Sequence, residues 1–152
     1  MIPQLRTRLV LGLSAAAAAC GSDPSSAAPC PEGAGEFPPT HCAYVEGRLT
    51  AAGAPVAGAG LRVDDFVQPV GYAYLSDVAE TDSQGRFELI VYRLNEFQSP
   101  TVPDRASVYV KLYPSQEAAT PGAAAQDSFP VLMTFAPMGT PVDTTEADLT
   151  LP

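Results

Sequence analysis

Short stretches of alternating apolar and polar residues recur along this 152-residue chain. In residues 43–50 one face collects small or apolar residues, namely Ala43, Val45, Gly47 and Leu49. An alternation of period two is typical of a strand with one buried and one solvent-facing side. Turn-forming Gly53, Pro55 and Gly58 follow, and the alternation resumes at Ala59, Leu61 and Val63. We therefore predict a hairpin, strand–turn–strand, over residues 46–63.

Five further strands are predicted by the same pattern, over residues 72–81, 86–94, 105–113, 128–135 and 146–151. Residues 82–85, Asp-Ser-Gln-Gly, should form a hairpin turn in which Gly85 supplies a positive φ. In residues 105–113 the apolar Val108, Val110 and Leu112 should face inward. Its outward residues should be Ser107, Tyr109, Lys111 and Tyr113. Pro130 places its strand at a sheet edge, because proline cannot donate to a ladder.

These elements amount to about seven strands separated by turns, which is the number expected of a small β-sandwich. A total of 12 Gly and 16 Pro also favours many turns over long helices. We predict an all-β, seven-stranded sandwich with immunoglobulin-like architecture over residues 42–152.

The N-terminus has the composition of a targeting segment. Arg6 and Arg8 precede an apolar run over residues 9–19, which predicts a signal peptide over residues 1–19 that is too short to span a bilayer. The junction Ala17-Ala18-Ala19-Cys20 resembles the lipobox of bacterial lipoproteins. That resemblance implies an exported protein, lipidated on Cys20 and anchored at the outer membrane or cell surface. Cleavage by an ordinary signal peptidase, leaving Cys20 as a thiol, is the alternative.

Residues 20–41 are rich in Pro, Gly, Ser and Ala and have no periodicity, which is typical of a flexible tether. The chain has three cysteines, and lipidation of Cys20 would leave Cys30 and Cys42 as an even pair. In an oxidising compartment we expect them to form a disulfide that fastens the end of the tether to the domain. A metal site made of Cys30, His41 and Cys42 is the alternative, although it would have no fourth ligand nearby.

The chain is acidic, with 17 Asp and Glu against 8 Lys and Arg and a formal charge of −9. All the acidic residues follow Cys20, so removal of a signal peptide would make the charge more negative still. Such a surface repels nucleic acid and anionic lipid head groups. We therefore expect no nucleic-acid partner, and membrane attachment only through the lipid.

Two motifs carry a family resemblance. Residues 45–63, VEGRLTAAGAPVAGAGLRV, and residues 81–89, TDSQGRFEL, are similar to the opening strand pair and following hairpin of carboxypeptidase regulatory-like domains. Residues 147–151, ADLTL, look like the family's closing strand. The resemblance implies a transthyretin-like (prealbumin-like) Greek-key sandwich that serves as a non-catalytic accessory, adhesion or carbohydrate-contacting module. Fold alone does not fix function, so the chemistry has to be judged from the residues.

Three kinds of site can be weighed from the residues. Asp64, Asp65 and Asp82 are calcium candidates because hard cations take carboxylate oxygens, although no known calcium-loop spacing is present. Catalysis is not expected, because His41 is the only histidine. The iron dioxygenases that resemble this fold bind their metal through two histidines. The hydroxyisourate hydrolases that resemble it need several histidines and a C-terminal Y-R-G-S, which this chain lacks.

Outward aromatic residues are the third kind, since they could stack on sugars or pack on a protein. Those expected to face outward are Tyr44, Tyr72, Tyr74, Tyr109 and Tyr113. Tyr109, Lys111 and Tyr113 share one face and form the candidate binding surface; ordinary half-buried strand tyrosines are the alternative. We expect a non-enzymatic envelope protein without cofactors that binds a protein partner, or alternatively a glycan or calcium.

Overall fold

A computed structural model describes residues 30–31, 39–67, 72–95 and 104–152. The predicted signal peptide, Cys20 and most of the predicted tether lie outside these residues. The described chain is all-β, without a helix, and forms two packed sheets. Its twelve strands are β1 (His41–Ala51), β2 (Ala54–Pro55), β3 (Gly60–Arg62), β4 (Asp64–Val67), β5 (Tyr72–Ser76), β6 (Ala79–Glu80), β7 (Arg86–Asn95), β8 (Arg105–Tyr113), β9 (Asp127–Thr134), β10 (Ala136–Pro137), β11 (Thr144–Glu146) and β12 (Leu149–Leu151). The predicted all-β sandwich is confirmed.

Sheet 1 has the order β10-β1-β7-β5-β4, and β2, β11 and β12 also pair with β1. Sheet 2 has the order β6-β3-β8-β9. All pairs are antiparallel except those of β11 and β12, which run parallel to β1. Two of the seven predicted strands are interrupted, giving β5 and β6, and β11 and β12, and the short β2, β4 and β10 were not predicted.

The core lies between the sheets and contains the residues that the alternation placed inward. In β8 these are Val108, Val110 and Leu112, and β7 contributes Phe87, Leu89 and Val91. From β1 the core takes Ala43, Val45 and Leu49. Burying such side chains stabilises the fold by about 1.5–3 kcal/mol each for the larger residues. Gly47 also faces inward, where a side chain would overlap the carbonyl of Ala147.

The first predicted hairpin is wrong in its pairing. β1 turns at Ala52 and Gly53, both with positive φ, and pairs with only the two residues of β2. The second predicted strand becomes β3, which pairs with β8 in the other sheet. The chain crosses between sheets through residues 56–59, where Thr81 accepts the N–H of Gly58 at its carbonyl and the N–H of Ala59 at its hydroxyl. Alternation along a strand indicates which face is buried, but it does not indicate the partner strand.

The turn at residues 82–85 is present, and Gly85 has φ of 73° as predicted. The Oδ1 of Asp82 accepts the N–H groups of Gln84 and Arg86, both at 2.8 Å. The turn is nevertheless not a hairpin turn within one sheet. It connects β6, which pairs with β3, to β7, which pairs with β1. The reason is that β5 leaves sheet 1 after Ser76, and the chain continues as β6 in sheet 2.

A second, smaller hydrophobic cluster covers part of the outer face of sheet 1. Its centre is the disulfide between Cys30 and Cys42, with Val142 buried beside it. Cys30 exchanges backbone hydrogen bonds with the loop after β10, donating to Thr140 and accepting from Gly139. The predicted disulfide is therefore present and excludes the metal site at the same cysteines. Cys30 also packs within the domain, so that the predicted boundary between tether and domain at residues 41 and 42 does not hold for this residue.

Candidate functional site: the outer face of sheet 2

Tyr109 and Leu132 are large hydrophobic side chains exposed on the outer face of sheet 2. The side chain of Tyr109 is 50% exposed, and Leu132 on β9 is 55% exposed. The register places Pro130 directly opposite Tyr109, and Leu132 opposite Ser107. Directly opposite and diagonal side chains on an antiparallel pair lie close enough to touch. Tyr109, Pro130 and Leu132 therefore form one exposed group, which we name the contact face.

Charge is distributed unevenly around the contact face. The outward positions of β8 and β9 are Arg105, Ser107, Tyr109, Lys111, Ser128, Pro130, Leu132 and Thr134. None of these positions carries an acidic residue, although the whole chain has a formal charge of −9. Two carboxylates nevertheless reach these strands, because Asp65 accepts the N–H of Tyr109 and Asp127 accepts the N–H of Ser128.

Tyr113 does not belong to the contact face, contrary to the sequence-based prediction. It does lie on the outward side of β8, but it is only 1% exposed. The loop of residues 114–126 folds back over this end of the sheet and buries Ala119. Gly60, which pairs with Tyr113, allows the approach because a side chain there would overlap the carbonyl of Ser115. The guanidinium of Arg62 donates to the carbonyl of Ala119 at 3.2 Å and fastens the loop.

Lys111 lies between the contact face and the buried end and is engaged within the domain. Its ammonium pairs with the carboxylates of Asp64 and Asp65, which are both shielded from solvent. Burial lowers the pKa of Lys111, but the hydrogen bond and charge of Asp64 and the charge of Asp65 outweigh it and raise the pKa above its usual value. Lys111 thus holds the point at which β3 leaves β8, and it is not free to bind a ligand.

The calcium candidates are not brought together as predicted. Asp64 and Asp65 face Lys111, and Oδ2 of Asp65 also accepts the N–H of Tyr109 at 2.7 Å. Asp82 lies in the turn between β6 and β7, where the N–H of Arg86 is the main cause of its lowered pKa; burial opposes this effect and the N–H of Gln84 adds to it. Within the described ranges, no three His, Cys, Asp or Glu side chains lie close enough to hold a metal ion. All three carboxylates therefore have structural roles, in an ion pair or in a turn.

The remaining tyrosines also differ from the expectation that they face outward. Tyr74 is buried in the core against Phe135, with ring centroids 5.0 Å apart. Tyr44 is half-buried in the cluster around the disulfide. The side chain of Tyr72 lies outside the described part. Of the five tyrosines named from the sequence, Tyr109 is thus the one that the described surface presents openly.

His41 begins β1 and lies at the same level as the buried Arg93 of β7. Its Nδ1 is 3.0 Å from the hydroxyl of Thr40, and that hydroxyl donates to the carbonyl of Arg93 at 3.3 Å. Burial and then the charge of Arg93 lower the pKa of His41, against an opposing effect of Asp104.

The edge of β9 is blunted against strand addition. β9 pairs with β8 alone among the described strands, so its other side is open. Because the N–H of Tyr109 points away from β9 to Asp65, its partner Pro130 must direct its nitrogen outward. Proline has no N–H to offer there, and of the two neighbouring outward N–H groups, those of Ser128 and Leu132, the first is taken by the carboxylate of Asp127 at 2.7 Å. Such devices reduce edge-to-edge pairing.

Sequence reasoning missed a row of charges on the outer face of sheet 1. Glu88, Glu46 and Glu146 lie side by side on β7, β1 and β11. In the next row Arg86 lies opposite Arg48, and these two arginines line a hollow of about 720 Å³ together with Glu46 and Glu146. Only the register of three strands that are distant in sequence brings these residues together, so no local pattern could have indicated it.

Comparison with known proteins adds no relative. No family model, no curated protein and no solved structure matches this chain. Among the described residues, no helix is long and apolar enough to cross a membrane.

Proposed function

We propose that this chain is a non-enzymatic module of the bacterial cell envelope, anchored by a lipid on Cys20, that binds a partner protein through the contact face. One observation carries the proposal: Tyr109 and Leu132 are both about half exposed and lie diagonally opposite each other on β8 and β9. Exposed aromatic and aliphatic groups of this kind are the usual anchors of protein interfaces.

The blunted edge of β9 favours binding through the face of the sheet over binding by strand addition. A partner strand along β9 would meet Pro130, which has no N–H, and Ser128, whose N–H is already bonded to Asp127. Strand addition derives its affinity from such main-chain groups. Side chains of the contact face, in contrast, are directly available to a partner.

Further features support the export and the family within this proposal. A disulfide between Cys30 and Cys42 is typical of proteins outside the cytosol. Gly53, Gly58 and Gly85, which belong to the motifs shared with carboxypeptidase regulatory-like domains, all adopt positive φ at turns. The likeness to that family and its transthyretin-like Greek-key topology is part of the proposal.

Glycan binding is the second candidate function. The exposed ring of Tyr109 and two nearby hydroxyls favour it. Ser107 lies two positions away along β8, and Ser128 lies diagonally across on β9. Aromatic rings stack on the apolar faces of sugars, and neighbouring hydroxyls can then bind sugar oxygens.

Photo-crosslinking in cells tests the proposal. A benzophenone amino acid replaces Tyr109 in one strain and the exposed Thr150 of sheet 1 in a matched control strain. We expect one discrete protein adduct from position 109, none from position 150, and loss of the adduct when Leu132→Ser is added. Equal adducts from both positions would contradict binding at the contact face. A glycan panel that binds wild type but not Tyr109→Ala would instead favour the second candidate.

A further inference from the structure

The disulfide determines where the tether leaves the domain. Cys30 and Cys42 are 2% and 0% exposed and lie on the outer face of sheet 1, beneath the loop that follows β10. The partly buried side chains that cover them are Tyr44, Ile90, Tyr92, Ala136 and Met138, and we name this surface the disulfide face. The contact face lies on the outer face of sheet 2, on the opposite side of the sandwich.

The bridge also shortens the tether. Without it, the chain from Cys20 would join the domain near Cys42, twenty-two residues away; with it, the chain joins at Cys30, only ten residues away. Covalent geometry limits these two tethers to about 79 Å and about 36 Å when fully extended.

The size of the domain makes this difference decisive. A compact domain of roughly 120 residues has a radius of gyration of about 14 Å and hence a sphere-equivalent radius of about 18 Å. A tether attached at one face must run about 45 Å, over the side of such a body and down, before the opposite face can touch the bilayer. The longer tether can span this distance and the shorter tether cannot.

We propose that the disulfide orients the domain on the bilayer, with the disulfide face toward the lipid surface and the contact face away from it. This inference rests on the lipid anchor at Cys20 that the proposed function includes. The composition of the two halves of sheet 1 agrees with it. The disulfide face contains two partly buried tyrosines and a methionine, which suit a membrane interface, and the acidic row of Glu46, Glu88 and Glu146 begins only at the next row of the sheet.

Fluorescence quenching on vesicles tests the orientation. Full-length lipidated protein carries a dye at Thr144→Cys, beside Tyr44 on sheet 1, or at Ser128→Cys on sheet 2. Each is bound to phosphatidylcholine vesicles containing a lipid with a nitroxide on its head group. We expect several-fold stronger quenching at position 144 than at position 128. Equal quenching at both positions would overturn the orientation.

A longer tether provides the matched control without disturbing the fold. Twelve Gly and Ser residues inserted between Ser25 and Ser26 keep the disulfide but restore the length of the unbridged tether. Effective concentration falls as the −3/2 power of tether length, so quenching at position 144 should fall about threefold and the difference between positions should shrink. An unchanged difference in this variant would refute a role for tether length.

Intact mass separates a failed inference from a failed anchor. Protein without an added acyl mass that does not bind vesicles contradicts the lipid anchor, and the orientation falls with it. Acylated protein that binds vesicles but shows equal quenching contradicts the orientation alone.

Discussion

Replacing Gly85 with alanine should lower the free energy of unfolding by about 2–4 kcal/mol. Gly85 has φ of 73°, a left-handed conformation that costs a residue with a side chain about 1–2 kcal/mol. An added Cβ would also overlap the carbonyl oxygen of Leu49, which accepts the N–H of Val56 at 3.0 Å. Forcing atoms into a packed region costs about 1–3 kcal/mol. The smaller conformational entropy of the unfolded variant offsets about 0.4–1 kcal/mol.

Gly53→Ala is the matched control for this prediction. Gly53 has a similar φ of 81°, but no heavy atom lies within 4 Å of the position its Cβ would take. The free energy of unfolding of Gly53→Ala should therefore fall by only about 0.5–1 kcal/mol, which is the cost of the left-handed backbone minus the gain from a less flexible unfolded chain. Urea titrations followed by circular dichroism give both values, and the m-value checks that the unfolded states are comparable. Equal losses in the two variants would refute the close approach of the 82–85 turn to Leu49.

Three further predictions concern single polar side chains. Lys111→Met should lose about 1 kcal/mol of unfolding free energy at pH 7. Because the pKa of Lys111 is raised, its contribution to stability is complete below the usual lysine pKa of 10.5 and is lost as the pH rises through the raised pKa. Urea titrations at strongly alkaline pH should therefore show a smaller difference between the variant and wild type. The pKa of His41 is lowered, so its contribution to stability is present above the usual histidine pKa of 6.5 and is lost as the pH falls through the lowered pKa. In thermal unfolding, the melting temperature of His41→Gln should therefore fall less than that of wild type over this pH range. Tyr113→Phe should gain about 1 kcal/mol in urea unfolding, because the hydroxyl is buried with no hydrogen-bond partner in the described part of the chain, and a loss of stability would show that a partner exists.

The sequence predicted which residues of β1 and β8 enter the core, because that information is local. In β8 the residues Val108, Val110 and Leu112 are buried and Tyr109 is exposed, as the alternation requires. The disulfide and the positive φ of Gly85 were also predicted, since each depends on a few residues whose chemistry permits little else.

What the sequence could not predict depends on parts of the chain that are distant from one another. Tyr113 points outward from its sheet, as expected, yet a loop fastened by Arg62 covers it. β3 alternates as a strand should, but its pairing with β8 was set by the crossing at Thr81 and not by its own residues. The observed surface therefore differs from the predicted one: it excludes Tyr113 and Lys111 and includes Leu132. Strand register and the path of a loop decide which side chains are exposed next to one another.

Under the proposed function, the two outer faces of the sandwich separate attachment from recognition. Packing two sheets against each other directs their outer faces in opposite directions, so a covalent link on one face places the other face at the far side. Here the cysteine pair fixes the chain to sheet 1, while the exposed Tyr109 and Leu132 lie on sheet 2. A disulfide at the end of a tether is usually understood as a stabilising bond, and a loop of twelve residues would contribute about 3 kcal/mol in that role. Its position on the face opposite Tyr109 gives it a second consequence, because moving the attachment point from residue 42 to residue 30 changes which surface a tethered domain can present.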